Sequence, residues 1–333
     1  MKPFNLDLLD KQIIHALIID GRAPFSRIAA VTGVSEQTVA RRYRRMRAAG
    51  VVRVTGLPDT QLLGHSEWMV RLQCVPDAAA AVADALARRP DTFWVQLISG
   101  GTAIACAVRP ADGSPDDLLL RQLPASRRIV AISAHSTLHV FRGGADHWPG
   151  ATMALTAEQA AALAAPGPAG EGARQTAHPL GPDDRVLLAE LARDGRASYA
   201  DLAGATHWHE STVRRRVEDL RAAGVLYLDV DVDESAYGIT TRAHLSMSVT
   251  PARLVAVGEA MAGHAEIPFV AATTGTSNLI ATVLCPDDQA LYRYLTERIA
   301  GLDGVTALEV APIMRTVKRT GAVPPAWVPA SAA

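Results

Sequence analysis

The chain of 333 residues contains the same segment twice, and this repeat limits its folds more than any other feature. Residues 21–50 and 195–224 align without a gap at an offset of 174, and 14 of the 30 aligned pairs are identical. Weaker agreement continues downstream, where Leu63-Gly64 aligns with Tyr237-Gly238. The chain is therefore two copies of a unit of about 150 residues, and each unit is long enough for two small domains.

The first part of each copy has the pattern of a helix-turn-helix domain. In copy one, apolar residues recur at helical spacing, and the predicted helices are Leu6–Asp20, Phe25–Thr32 and Ser35–Ala49. Ser35 suits the N-cap of the third helix, and Gly50 suits its C-terminal end. Ala29, Gly33 and Val39 supply the small residue at the helix crossing, the tolerant turn and the buried aliphatic side chain that this motif needs.

The second part of each copy alternates strand-like and helix-like runs in the order β-α-β-β-α-β, the ferredoxin-like arrangement. In copy one the runs are 68–75, 77–89, 92–99, 103–109, 115–123 and 129–141. In copy two they are 243–250, 252–263, 269–274, 279–284, 287–300 and 305–318. The predicted fold class is therefore α+β, with a winged or three-helix helix-turn-helix domain plus a ferredoxin-like βαββαβ domain, repeated twice.

These patterns also predict where the domains begin and end. The expected segments are helix-turn-helix domain one at 1–52, a hinge at 53–66, ferredoxin-like domain one at 67–145, a linker at 146–179 with a short helix at Leu155–Ala164, helix-turn-helix domain two at 180–226, a hinge at 227–241, ferredoxin-like domain two at 242–322 and a tail at 323–333. Residues 165–179, rich in Pro, Gly and Ala, have the composition of a flexible linker.

Charge and cysteine usage narrow the function classes. There are 33 basic and 34 acidic residues, so affinity for nucleic acid must come from a local basic patch. Cys74, Cys106 and Cys285 lie far apart in apolar runs, which indicates buried thiols in a reducing compartment and neither a disulfide framework nor a metal site. No apolar run reaches the ~20 residues needed to span a bilayer. We therefore expect a cytoplasmic protein with no membrane contact, no metal and no cofactor.

The third helix of copy one has the residues of a DNA-reading element. Val39, Tyr43 and Met46 should face inward, which leaves Arg and Gln side chains outward for base edges and phosphates of double-stranded DNA. The predicted DNA-binding residues are Ser35, Gln37, Thr38, Arg41, Arg42, Arg44, Arg45 and Arg47 in copy one, with Arg214, Arg215 and Arg216 in copy two. The alternative is a solvated surface helix. The scarcity of acidic partners in this helix argues against that alternative.

The matching helix of copy two has lost part of this character. His207 stands where copy one has its turn glycine, and His209 stands at the capping position. Glu218 and Asp219 replace two arginines. Copy two is therefore either a second reader or a pseudo-domain kept for symmetry. His207 and His209 have no third ligand in view, which disfavours a metal site.

The two parts together resemble the Lrp/AsnC family, also called feast/famine regulators. The resemblance rests on residues 6–35 in copy one and on TTGTSNLIATVL and VAPIMRTVKR in copy two. It implies a helix-turn-helix joined to a ligand-sensing domain, pairing of the two sheets into a pseudo-dimer, and homo-oligomers of such chains. It also implies a small-molecule effector, typically an amino acid, at the turn between the second and third strands of the sheet.

Carried over position by position, the effector-binding residues would be Ser99, Gly100, Gly101 and Thr102 in copy one, and Thr274, Gly275, Thr276, Ser277 and Asn278 in copy two. Glycines there let a ligand approach the backbone, while N–H groups and hydroxyls can hold a carboxylate. The alternative is a tight hairpin that needs glycine for its geometry alone. The acidic residue that follows the glycine in many relatives is missing, which puts an amino-acid ligand in doubt.

Three functions are compatible with these sequence features. The expectation is a non-enzymatic transcription regulator that binds specific DNA sequences and responds to an effector. The alternative is an enzyme similar to the siroheme decarboxylases, which share the scaffold and occur as fused pairs. Their His/Cys-Tyr-Arg and Trp-Pro-Tyr-Asn pattern is missing from DTFWVQLISGG and EIPFVAATTGTSNLIA. The third is a metabolite-binding or assembly protein without DNA contact, which the intact first reader disfavours.

Overall fold

In a computed structural model of the chain, the described residues are 4–59, 62–64, 66–109, 116–144, 153–164 and 180–320. The predicted flexible segment 165–179 and the whole of the predicted tail at 323–333 lie outside them, as do residues 145–152. The helices are α1 (Leu8–Ile19), α2 (Phe25–Thr32), α3 (Glu36–Ala48), α4 (Ala79–Ala87), α5 (Ala157–Leu163), α6 (Pro182–Arg193), α7 (Tyr199–Thr206), α8 (Glu210–Ala222), α9 (Leu254–Ala262) and α10 (Asp288–Arg293). The strands are β1 (Val52–Pro58), β2 (Trp68–Cys74), β3 (Thr92–Ile98), β4 (Ala103–Val108), β5 (Ile129–Arg142), β6 (Leu226–Val232), β7 (Thr241–Val249), β8 (Phe269–Thr273), β9 (Leu279–Cys285) and β10 (Val305–Lys318).

The chain divides into two compact units, and each unit joins a part of copy one to the matching part of copy two. The helical unit takes its described residues from 4–64 and 153–237. The sheet unit takes its described residues from 66–144 and 238–320. The duplication therefore produces paired halves within one polypeptide, as the repeat predicts.

Local capping explains where the helices of the first reader begin. Asp7 accepts a hydrogen bond from the Asp10 backbone N–H at the start of α1, and the Asp10 carboxylate accepts one from the Asp7 backbone N–H. The predicted N-cap Ser35 begins α3, and its hydroxyl accepts from the backbone N–H of Thr38 at 3.2 Å. Gly33 ends α2 with φ +71°, the left-handed conformation that glycine adopts without strain. The sequence therefore specifies the helix-turn-helix locally.

The helical unit is joined across the two copies by a pair of strands. β1 runs antiparallel to β6, with Val54 opposite Val230. Leu228 of β6 packs in the same core as the fully buried Ile13 and Leu17 of α1. Helix α5, which follows copy one in sequence, adds the fully buried Leu163 to that core. The hydrophobic core of the first reader is thus completed by residues from beyond copy one.

The sheet unit contains one closed barrel in the order β10-β3-β4-β2-β5-β8-β9-β7. Each copy contributes four consecutive strands in the ferredoxin-like order. The barrel closes where β5 of copy one pairs with β8 of copy two, and where β10 of copy two pairs with β3 of copy one. Closure removes the exposed strand edges that either four-stranded sheet would have alone. The predicted pairing of copy one's sheet with copy two's therefore takes the form of shared edges.

Each half of the barrel packs its helices against one face and has its own core. Val70, Leu72 and Ile104 lie under α4 in copy one, and Leu245 and Val283 lie in the equivalent core of copy two. All three cysteines are buried, as predicted. Burial raises the pKa of the Cys106 thiol to about 12 and that of Cys285 to about 11, which keeps both protonated.

The opposite side of the strands includes polar side chains from both copies. His244 of β7 and Gln96 of β3 approach each other across β10, with the ring Nε2 2.6 Å from the amide Oε1. Arg71 of β2 donates to the Glu309 carboxylate of β10 at 2.6 Å. Burial, assisted by the positive charge of Arg71, lowers the pKa of His244 to about 4.

Among the described residues, no helix combines the length and the apolar character needed to cross a bilayer.

Candidate nucleic-acid interface and effector turns

The inward face of α3 is as predicted, and it fixes which side chains point to solvent. Val39 and Met46 are fully buried and Tyr43 nearly so. Gln37, Arg41 and Arg44, by contrast, are exposed on the other side. The Arg44 guanidinium donates only to the backbone oxygen of Ala40, one turn earlier. Neither Arg41 nor Arg44 has a carboxylate partner among the described residues, so both guanidinium groups can reach a ligand.

Two other arginines of α3 are held by carboxylates at the start of α1. Arg42 donates to Asp7 at 2.5 Å and to Asp10 at 3.0 Å, and Arg45 donates to Asp10 at 2.6 Å. The Arg42 hydrogen bond holds the pKa of Asp7 below its usual value. Asp10 is fully buried, and leaving a buried carboxylate without such partners would be costly. Arg42 and Arg45 therefore pack α3 against α1, a role that the sequence prediction did not give them.

The predicted residues at the start of α3 also have partners. The hydroxyl groups of Ser35 and Thr38 lie 2.9 Å apart and form part of the N-cap. Arg47, near the other end, donates to Asp194 of copy two at 2.7 Å. Of the predicted DNA-binding set in copy one, Gln37, Arg41 and Arg44 thus form the face that is not engaged elsewhere.

The helical unit is clamped by an arginine from each copy. Arg22 of copy one donates to the backbone oxygens of Gly195 and Ala197, at 2.8 and 2.9 Å. Its guanidinium also stacks over the ring of Tyr199, which begins α7. A charged donor on two backbone carbonyls and an aromatic face makes a strong, directional contact.

Arg196 makes the matching contacts in the opposite direction. It donates to the backbone oxygens of Gly21 and Ala23, at 2.7 and 3.0 Å, and lies 4.5 Å from the centre of the Phe25 ring, which begins α2. Burial of this guanidinium lowers the pKa of Arg196. The two contacts have the same geometry because positions 22 and 196 are equivalent in the repeat.

A second pair of contacts follows the same rule. Arg47 pairs with Asp194, and its equivalent Arg221 pairs with Asp20 at 2.9 Å. We name the set formed by Asp20, Arg22, Arg47, Asp194, Arg196 and Arg221 the interlock. These contacts between the copies were not predicted from the sequence, although Asp-Gly-Arg-Ala occurs unchanged at 20–23 and 194–197. That identity was the available signal, since the reading faces themselves differ between the copies.

The second reader keeps the shape of the first one with weaker local support. His207 ends α7 with φ +58°, a conformation that is strained for a side chain larger than glycine. His209 occupies the N-cap of α8 but its side chain makes no capping hydrogen bond. Both are the departures from copy one that the sequence indicates, and α8 nevertheless forms over 13 residues.

Most cations of α8 are engaged within the unit. Arg216 donates twice to Asp184, at 2.7 and 2.8 Å, and this hydrogen bonding lowers the pKa of Asp184. Arg214 donates to Glu210 at 3.3 Å and stacks over Tyr199. Arg215 is exposed and has no carboxylate partner in the described part of the chain. Of the three arginines predicted to bind DNA in copy two, Arg215 is therefore the one without a carboxylate partner among the described residues.

The predicted effector turn of copy one is open. Ser99–Gly101 forms a short 3-10 turn after β3, in which Ser99 has φ +54°. A Cβ atom built on Gly100 or Gly101 would meet nothing within 4 Å. The hydroxyl of Thr102 donates to the Ser99 carbonyl at 2.9 Å. This turn can therefore accept a ligand against its backbone.

The predicted effector turn of copy two is covered by copy one. The ring of His135 lies over Gly275, so that a Cβ atom there would sit 2.2 Å from His135 Nδ1. The Thr274 hydroxyl accepts from the Ser136 backbone N–H at 2.9 Å. Asn278 exchanges hydrogen bonds with the Val249 backbone, and the Thr276 carbonyl accepts from a serine of β7. The Thr274 hydroxyl, the Thr276 carbonyl and the Asn278 amide of this turn are thus occupied by the protein.

Comparison with family models supports the identity of both parts. The AsnC-type helix-turn-helix domain matches residues 6–47 and again residues 183–221. The Lrp/AsnC ligand binding domain matches residues 239–323. The repeated helix-turn-helix match confirms the tandem duplication.

The curated relatives are named as HTH-type transcriptional regulators. An uncharacterized HTH-type transcriptional regulator of Pyrococcus horikoshii, PH0140, is 31% identical over 139 residues, which cover 41% of this chain and 87% of the relative. The HTH-type transcriptional regulator LrpA1 of Halobacterium salinarum is 26% identical over 133 residues, which cover 40% of this chain and 94% of the relative. Each relative therefore corresponds to a little less than half of the chain.

A solved structure with the same layout over the whole length is that of the siroheme decarboxylase NirDL. It has a TM-score of 0.62 and 15% identity, and the match covers 94% of this chain and 93% of that one. At this identity the likeness establishes a shared fold and nothing about activity. On the family models and the relatives together, the chain belongs to the Lrp/AsnC family, as a tandem duplicate of the family's unit.

Proposed function

We propose that this protein is a transcription regulator that binds specific sequences of double-stranded DNA through α3 and changes that binding in response to a small-molecule effector. The observation that carries the proposal is the exposed face of α3. Arg41 and Arg44 lie there beside Gln37, and no carboxylate of the described residues neutralises them. The other arginines of the helix, Arg42, Arg45 and Arg47, are each paired with a carboxylate.

The chemistry of this face suits the major groove. A guanidinium group donates two parallel hydrogen bonds to O6 and N7 of guanine, and a glutamine amide pairs in the same way with adenine. Gln37, Arg41 and Arg44 are the base-reading residues of the proposal. Ser35, Thr38, Arg42, Arg45 and Arg47 remain predictions as phosphate contacts, because DNA would have to compete with their present partners.

The interlock gives the two readers of one chain a fixed relationship within the helical unit. A pair of readers that moves as one body loses little further freedom when the second half-site is bound, which favours paired half-sites. We therefore expect the effector to act on how chains associate into homo-oligomers, and not on the spacing of readers within a chain.

For the effector, the open turn at Ser99–Thr102 is the stronger of the two predicted sites. Its glycines have open space beside them, whereas Gly275 of copy two faces the His135 ring, and Thr274 and Asn278 already have hydrogen-bond partners. Exposed backbone N–H groups at such a turn suit a carboxylate. An amino acid is one such ligand, and its ammonium group would need a partner from outside the turn.

Genome-wide mapping of DNA bound by a tagged protein tests the regulator function. We expect discrete sites near promoters for the wild type, and their loss in the Arg41→Ala/Arg44→Ala variant. The matched control is Arg127→Ala/Arg128→Ala, which removes the same charge at an exposed position in the sheet unit. Occupancy that survives in the α3 variant, or that disappears equally in the control, would contradict the proposal.

The enzyme alternative is supported by fold alone. The chain shares its full-length architecture with the siroheme decarboxylase NirDL, which has also been crystallised in complex with an iron-uroporphyrin III analogue. A purified protein that binds an iron porphyrin with a Soret band and decarboxylates siroheme would favour the enzyme. A colourless protein that binds promoter DNA would favour the regulator.

A further inference from the structure

The two reading helices occupy equivalent places in the helical unit, yet they present different side chains. The interlock contacts come in pairs related by the repeat offset: Arg22 matches Arg196, and Arg47–Asp194 matches Arg221–Asp20. The contact between the third and first helices also has its counterpart, since Arg42–Asp10 corresponds to Arg216–Asp184. Residues of α3 and α8 can therefore be compared position by position.

The comparison separates a shared position from a changed one. Arg41 corresponds to Arg215, and both are exposed without a carboxylate partner in the described residues. Arg44 corresponds to Glu218, which is likewise exposed and is engaged by no described residue. At this position the first reader thus presents a cation and the second an anion, while the remaining reading residue, Gln37, corresponds to Ser211.

The two side chains cannot read the same base. An arginine only donates hydrogen bonds, and guanine offers two acceptors in the major groove. An ionised glutamate only accepts, and the N4 amino group of cytosine is the donor that it takes in base recognition. Glu218 is exposed, so burial does not explain why a glutamate stands at this position. No ion pair with a described residue explains it either.

We propose that one chain reads two unlike half-sites and that Glu218 sets one base difference between them. Arg41 and Arg215 read the same base in each half-site. Glu218 selects cytosine at the position where the other half-site has the guanine read by Arg44. The operator is then not a palindrome, and the chain lies on it in one orientation. The inference rests on the proposed DNA binding.

The consequence follows from the fusion of the two copies. In a dimer of identical chains both readers change together, so the preferred site is symmetric. Here each reader is encoded separately, so one can change without the other, while the interlock holds the two readers together. A single substitution in one copy therefore alters one half-site alone.

Selection from a random-sequence duplex library tests the inference with purified full-length protein. We expect the wild type to enrich two unlike half-sites, with cytosine at the position that matches the Arg44 guanine. Glu218→Arg should replace that cytosine by guanine and make the motif more nearly palindromic, and Glu218→Gln should favour adenine. The control Glu259→Arg makes the same charge change at an exposed position of α9 and should leave the motif unchanged.

Defined duplexes then give the magnitude. A cytosine-to-guanine change at this position should weaken wild-type binding about 10-fold and strengthen Glu218→Arg binding by a similar factor, as expected for one base contact. A palindromic wild-type motif, a motif with one half-site, or an unchanged preference in Glu218→Arg would overturn the inference while DNA binding itself stands. Enrichment of no sequence at all would overturn the proposed function as well. Retained binding to the first half-site shows that each variant is folded.

Discussion

Arg22 and Arg196 make reciprocal contacts between the two copies of the repeat. The guanidinium group of each donates to two backbone carbonyls of the other copy. The four N···O distances lie between 2.7 and 3.0 Å. Both arginines stand in the same Asp-Gly-Arg-Ala segment, at equivalent places in the two copies. The most faithfully repeated part of the chain thus holds the readers together, whereas the reading faces have diverged.

Removal of one of these arginines should loosen the helical unit. We expect Arg196→Ala to lower the free energy of unfolding by about 3 kcal/mol, because two carbonyls and an aromatic ring lose a partly buried charged donor. Urea denaturation followed by circular dichroism measures the change. Arg193→Ala is the control, since Arg193 is exposed and pairs with Glu190 only one turn away. That variant should lose about 0.5 kcal/mol or less, and equal losses in both variants would count against the interlock.

Gly195 lies against the backbone of β1, where there is no room for a side chain. A Cβ atom there would sit 2.8 Å from the carbonyl carbon of Thr55 and 3.0 Å from the backbone nitrogen of Gly56. Since backbone cannot move aside easily, Gly195→Ala should destabilise the protein by about 1–3 kcal/mol. Gly204→Ala, inside α7 with open space around it, should instead stabilise by about 0.5–1 kcal/mol through helix propensity. The opposite signs are the test, read out as thermal midpoints of the two variants.

Gly275 combines a steric and a conformational constraint. It has φ +103°, and its Cα faces the ring of His135. Gly275→Ala should destabilise by about 2–4 kcal/mol in total, from the backbone conformation and the clash. In the His135→Ala background the clash disappears, so the same substitution should cost only about 1–2 kcal/mol. Gly100→Ala, with φ +71° in open space, should match that smaller value. Additive effects of His135→Ala and Gly275→Ala would show that the ring does not cover the turn in solution.

His244 should make the sheet unit sensitive to mild acid. Burial lowers its pKa to about 4 from an unfolded value near 6.5. The unfolded chain therefore binds a proton between these two values while the folded one does not. Stability contributed by the neutral ring is complete above about pH 6.5 and is lost as the pH falls toward about 4, by roughly 2–3 kcal/mol.

Chemical denaturation at a series of pH values tests this, with His244→Gln as the comparison. Glutamine can keep a polar contact to Gln96 and does not titrate, so the variant should lose less stability between pH 6.5 and 4. Arg71 and Glu309 lie nearby and remain in both proteins. Parallel pH curves for wild type and variant would assign the acid sensitivity to other groups.

Local sequence signals predicted the elements of the fold well. Helix α2 begins and ends where the spacing of apolar residues predicts, at Phe25 and Thr32, and Ser35 is the N-cap that its side chain indicates. Such features depend on residues within one or two turns. The βαββαβ order was predictable for the same reason, although the helix predicted at 287–300 changes to a π-helical turn, Tyr294–Ile299, after α10.

The partners of the arginines were not predictable in this way. Arg45 is held by Asp10, 35 positions away in sequence, and Arg47 by Asp194, 147 positions away. Helix periodicity places these arginines on the flanks of the face that holds Arg41 and Arg44 and gives no sign of their carboxylate partners, so the sequence predicts a DNA contact for all of them. The cover that His135 forms over Gly275 likewise depends on how β5 meets β8. The Arg45–Asp10 contact requires the packing of α1 against α3. The Arg47–Asp194 and His135–Gly275 contacts require the tertiary pairing of the two copies, which the repeat suggests without fixing its contacts.

The free guanidinium groups of α3, those of Arg41 and Arg44, should bind DNA. Fluorescence anisotropy with a labelled duplex from a mapped site measures this directly, at several salt concentrations. Wild-type affinity should fall steeply with salt, and Arg41→Ala/Arg44→Ala should bind at least about 30-fold more weakly at moderate salt, from the loss of two base contacts. Arg127→Ala/Arg128→Ala should bind like the wild type. An α3 variant within about twofold of wild type would contradict the account.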